Sequence, residues 1–80
     1  MPTFRYRLTL GDETKETDLR SSNPQGWLLD AVRATFPEIA SNRASELIRV
    51  KLQPIEGASE QWHAKLVCGA NSLFISVVRI

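Results

Sequence analysis

Two residue types in this 80-residue chain can act as nucleophile and base, His63 and Cys68, and each occurs once. They lie five positions apart in a segment where apolar and polar residues alternate, Trp62, Ala64, Leu66 and Cys68 against His63, Lys65 and Val67. Alternation of this kind belongs to a β-strand, and an odd spacing on a strand sends two side chains to opposite faces. A thiolate–imidazolium pair is therefore not expected, and Cys68 reads as a small apolar residue beside Leu66. The acidic pairs Asp12/Glu13 and Glu16/Asp18 could in principle serve metal binding or acid–base chemistry. The first falls in a turn, and arginines flank the second across a hairpin, so both read as solvated charge. Gly11, Gly26, Gly57 and Gly69 are isolated, and none opens a loop of the kind that cradles phosphate. The sequence thus points to no catalytic set, no metal site and no cofactor, and the expectation is a protein that is not an enzyme.

The residues that do form a pattern are cationic. With strands laid side by side and their apolar positions turned inward, Arg5, Arg7, Arg49, Lys51, His63 and Lys65 gather on the wet face together with Arg20, against only Glu16 and Asp18. The whole chain carries a formal charge of +1, so such a stripe would segregate charge. A basic sheet that also presents an aromatic ring can dock an acidic protein surface, or can accept single-stranded nucleic acid through phosphate contacts and stacking. Arg5, Arg7, Arg49, Lys51, His63 and Lys65 are the candidate partner-binding residues, and their grouping depends on the elements that carry them.

Phe4, Tyr6, Leu8 and Leu10 alternate with Arg5, Arg7 and Thr9, the period of a half-buried strand. Gly11 to Thr14 has turn chemistry, and Lys15 to Arg20 alternates again, so a hairpin is expected, with Leu10 opposite Lys15 and Arg7 opposite Asp18. Asn23 then suits a helix cap and Pro24 the first helical position, where its missing N–H costs nothing. Trp27, Leu28, Leu29, Ala31, Val32 and Phe36 recur at helical spacing and form the stripe that packs on the sheet. Pro37 interrupts the helix, with one further short turn over 38–45. Period two returns at Leu47, with Ile48, Val50 and Leu52 opposite Arg49, Lys51 and Gln53, and Pro54 ends this third strand. Glu56 to Glu60 makes a loop into the strand bearing His63. Gly69 to Ser72 turns the chain into Leu73–Ile80, apolar on both faces and so expected inside the sheet, with either Phe74/Ser76/Val78 or Leu73/Ile75/Val77 on the wet face.

The expected fold is α+β: a single five-stranded, mostly antiparallel sheet with element order ββαβββ and one helix packed on one face, residues 1–80 forming one domain. In element order alone the opening hairpin, helix and apolar final strand resemble the ubiquitin-type β-grasp plan. That resemblance implies a central final strand parallel to the first. The chain ends at Ile80 without the Gly-Gly tail of ubiquitin and the sulfur carriers, which argues against conjugation.

At this size the chain can bury only about 60–65% of its unfolded surface, enough for one modest core. Hydrophobic residues make up 42% and charged residues 24%, with no block of like charge. A single cysteine forms no internal disulfide, and no leader-like apolar run or span of about 20 apolar residues occurs. A cytoplasmic protein without a membrane role is the expectation. Its partner is expected to be a larger protein or ribonucleoprotein complex, with a homodimer and direct nucleic-acid contact as alternatives. Small cofactor-free proteins of this kind are common among the stoichiometric inhibitors that phages and mobile elements aim at host defence complexes, anti-CRISPR proteins included. Trp27 and Trp62 fall on the faces expected to be core.

Overall fold

A computed structural model describes all 80 residues. Five strands form one sheet: β1 (Thr3–Leu10), β2 (Glu13–Arg20), β3 (Gln53–Pro54), β4 (Gln61–Cys68) and β5 (Asn71–Arg79). Their spatial order is β2-β1-β5-β4-β3, and every neighbouring pair is antiparallel. The α+β class and the central place of the final strand agree with the sequence. The direction of that strand departs from the β-grasp plan, because β5 runs antiparallel to β1.

Both long hairpins close through two-residue turns, with Leu10 opposite Glu13 and Cys68 opposite Asn71. Gly11 and Gly69 occupy the first turn positions at φ +60° and +67°, and neither Asp12 nor Ala70 has positive φ. This is the type II′ arrangement, whose twist matches that of the strands and which favours glycine at its first position. The tight turn moves the first hairpin two residues from the expected register, so that Arg7 faces Glu16 and Arg5 faces Asp18. A shift of two leaves every side chain on its expected face.

One face of the sheet carries the core. Tyr6, Leu8, Leu73, Ile75 and Val77 from β1 and β5 are buried against Leu28, Ala31, Val32 and Leu47 from the helical layer. Each Leu, Ile and Val among them contributes roughly 1.5–3 kcal/mol on burial. At the β4 end, the rings of Phe4 and Trp62 meet edge to face at 5.7 Å. Tyr6 spans the two layers, its hydroxyl donating to the Pro24 carbonyl at 2.6 Å.

The helical layer holds three helices rather than one: α1 (Leu28–Thr35), α2 (Pro37–Asn42) and α3 (Ala44–Arg49), preceded by a 3-10 turn over Gln25–Trp27. Asn23 caps the entry as expected, its Oδ1 accepting from the Gly26 N–H at 2.7 Å. Pro37 separates α1 from α2 and occupies the first turn of the latter. Trp27 does not join the core as expected; it is 45% exposed, at the junction where the 3-10 turn gives way to α1 and the apolar stripe rotates.

The expected third strand over 47–53 is overturned. Its first half is α3, where Leu47 is buried while Ile48 and Arg49 after it are both exposed, a pattern that helical phase produces and period two does not. The Leu47 and Val50 N–H groups donate back to Arg43 and Glu46, and Arg43 pairs with Glu46 at 3.1 Å. Beyond α3, Gln25 holds the extended connection: its amide donates to the Val50 carbonyl at 2.8 Å and accepts from the Leu52 N–H at 2.7 Å. Only Gln53 and Pro54 pair with β4. No helix is long and apolar enough to cross a membrane.

Candidate binding face

All three helices pack on one side, so the opposite face of the sheet is uncovered. The pairing places its side chains in rows across the strands. Asp18, Arg5, Val78 and Gln61 form one row; Glu16, Arg7, Ser76, His63 and Gln53 the next; and Thr14, Thr9, Phe74 and Lys65 the third. Leu73, Ile75 and Val77 point to the core, which decides between the two alternatives for the last strand. Phe74 is 54% exposed and Val67, beyond the third row on β4, 60%.

Four of the six candidate residues, Arg5, Arg7, His63 and Lys65, meet on this face. Arg49 and Lys51 do not. A third strand over 47–53 would bring them to it, but Arg49 closes α3 and Lys51 sits in the connection that Gln25 holds. Arg20 lies at the end of β2 on the open face, as its alternation requires.

The charge that remains is largely paired. Arg5 grips Asp18 with two hydrogen bonds, Nε to Oδ1 at 3.0 Å and Nη2 to Oδ2 at 3.3 Å. Arg7 contacts Glu16 Oε2 at 2.9 Å. The Arg5 hydrogen bond holds the Asp18 carboxyl below its ordinary value, and Asp18 in turn raises Arg5. The free cations on the face are Arg20 and Lys65, neither of which makes an ion pair. The Lys65 ammonium instead lies 5.6 Å from the centre of the Phe74 ring. The twisted sheet hollows slightly here, enclosing about 430 Å³ between Arg7 and Thr9 on β1, Phe74 and Ser76 on β5, and His63 and Lys65 on β4. A ring flanked by an ammonium, a guanidinium, an imidazole and two hydroxyls can bind an apolar group with a neighbouring anion.

His63 and Cys68 emerge on opposite faces, as the odd spacing requires. Cys68 is half-buried against the core, and its thiol donates to the Leu66 carbonyl at 3.6 Å. No three His, Cys, Asp or Glu side chains cluster as metal ligands. The central aromatic of the hollow, Phe74, was visible in the sequence as one of two options for the last strand. The ion pairs that neutralise Arg5 and Arg7 depended on the hairpin register. No family model matches the chain, and comparison with the curated proteins and with the solved structures found no match.

Proposed function

We propose that this chain is a non-enzymatic protein-binding module that takes an acidic, partly apolar surface of a larger protein on its open sheet face. The observation that carries the reading is Phe74, half exposed in mid-sheet with Lys65 over its ring and Arg7 and His63 beside it. An exposed aromatic within a polar rim is the composition of an interface anchor, and such anchors dominate binding energy where they become fully desolvated. A stoichiometric inhibitor of a host defence complex, of the anti-CRISPR type and acting in the cytoplasm, would work in this way.

Single-stranded nucleic acid is the second reading, favoured by the same ring as a stacking platform. The ion pairs weigh against it. With Arg5 and Arg7 engaged by Asp18 and Glu16, two cations on the face are free for phosphates. Two phosphate contacts give a salt slope of only about −1.4 in log–log terms. The test is capture from nuclease-treated lysate by the wild type, Phe74→Ala, Lys65→Glu and, as a control on the helical side, Arg33→Glu. The protein-binding reading expects capture that survives nuclease, is lost in the two face variants and persists in the control. Capture abolished by nuclease transfers the weight to nucleic acid.

A further inference from the structure

β2 is an edge strand of eight residues, and the geometry of its hairpin fixes which of its backbone groups are free. Leu10 and Glu13 close a two-residue turn, so Glu13, Lys15, Thr17 and Leu19 direct their N–H and C=O groups to β1. Those of Thr14, Glu16, Asp18 and Arg20 point outward, and no other part of the chain bonds to them. Edge strands are commonly blunted by charge. Here the charges on the open face of β2 are unequal in what they have left to offer. Both Asp18 oxygens are engaged by Arg5, whereas Arg7 uses only Oε2 of Glu16, leaving Oε1 free. Arg20, four residues from Glu16 and on the same face, makes no ion pair.

We propose that two copies of this chain pair antiparallel through β2 about a two-fold axis at Asp18, with Glu16 of each copy opposite Arg20 of the other. In this register Glu16, Asp18 and Arg20 meet their counterparts as doubly hydrogen-bonded pairs, and the free Glu16 oxygen of each copy accepts from the unpartnered guanidinium of the other. The two Asp18 side chains, opposite one another at the axis, are each neutralised by their own Arg5. A shift by one step in one direction opposes Glu16 to Asp18, acid to acid. A shift in the other aims Arg20 at Asp18, whose oxygens are taken, and shortens the overlap. The charge pattern that repels foreign edges therefore specifies this one.

The two-fold axis stands perpendicular to the sheet, so the dimer is a ten-stranded sheet with both open faces on one side. The two Phe74-bearing strands lie five strand spacings apart, about 24 Å. The pairing does not rest on the binding proposal above.

The test is sedimentation equilibrium, with native mass spectrometry of mixed variants and circular dichroism to verify folding. The wild type is expected to dimerise reversibly in the micromolar range, and Arg20→Glu, which breaks no ion pair within the chain, to weaken this roughly tenfold or more. Glu16→Arg weakens it likewise. An equimolar mixture of Glu16→Arg and Arg20→Glu regains affinity as a heterodimer, and the double variant regains it as a homodimer. Phe74→Ala leaves the association unchanged. A monomeric wild type, an Arg20→Glu protein that associates as the wild type does, or a mixture that fails to form heterodimers overturns the proposal.

Discussion

Replacing Tyr6 by Phe removes one oxygen, and its effect is calculable at neutral and at alkaline pH. The Tyr6 side chain is fully buried, and its hydroxyl bonds to the Pro24 carbonyl at 2.6 Å, tying the central sheet to the entry of the helical layer. At neutral pH the variant loses that bond, at a cost of about 1 kcal/mol. In a domain of this size that corresponds to a fall in Tm of roughly 4–8 °C per kcal/mol. Burial, and secondarily the charge of Asp30, push the phenol pKa up from 10.0 to about 12. A raised pKa means that the folded state holds its proton longer than the unfolded state. The wild type therefore loses stability as pH rises from 10 towards 12, and the variant lacks this loss. At pH 11 the unfolded phenol is mostly ionised and the folded one mostly neutral, a difference of about 1.4 kcal/mol. Urea unfolding of both proteins at pH 8 and pH 11 should show the wild-type advantage shrinking by that amount, to near zero. An advantage that is unchanged at pH 11 refutes the placement of this phenol in the core.

Other substitutions probe the elements that separate the faces. Gln25→Ala removes both hydrogen bonds to the connection, so hydrogen exchange of the Leu52 amide should accelerate and stability should fall by about 1–2 kcal/mol. Phe74→Ala on the open face should change stability by less than about 1 kcal/mol, whereas its neighbour Ile75→Ala, facing the core, should cost about 2–5 kcal/mol. Asp18 should titrate below the ordinary carboxylate range by NMR and return towards it in Arg5→Ala. Its small, solvent-screened contribution to stability is present at neutral pH and is lost only as pH falls through that lowered value.

The alternation in β1, β2, β4 and β5 was legible because each strand has one wet and one buried face, and period two records that directly. The register of the first hairpin was not, because Gly11-Asp12-Glu13-Thr14 is equally compatible with a four-residue loop, and only the glycine at positive φ shows the turn to be of two. Because the error was an even number of residues, the faces survived it while the partners of Arg5 and Arg7 changed. The segment from Leu47 to Gln53 misled for a different reason. Val50 and Leu52 do pack against the core, but from an extended connection, and Ile48 is a surface residue of α3 that happens to share their parity. A six-residue helix held by Arg43–Glu46 pairing and tertiary contact carries too few residues for its period to stand out. Arg49 and Lys51 share the binding face only if 47–53 is a strand, and the pairing of Arg5 with Asp18 and Arg7 with Glu16 follows only from the two-residue turn.

The chain has three lysines, and the fold assigns each to a different surface: Lys15 lies over the Phe36 ring, Lys51 in the connection after α3, and Lys65 on the open face. Competitive acylation of the partner-bound and free protein, read by mass spectrometry, therefore tests the binding face directly. Lys65 should be protected in the complex while Lys51 reacts as in the free chain; protection of Lys51 with Lys65 unchanged would place the interface on the helical side instead of the open sheet face.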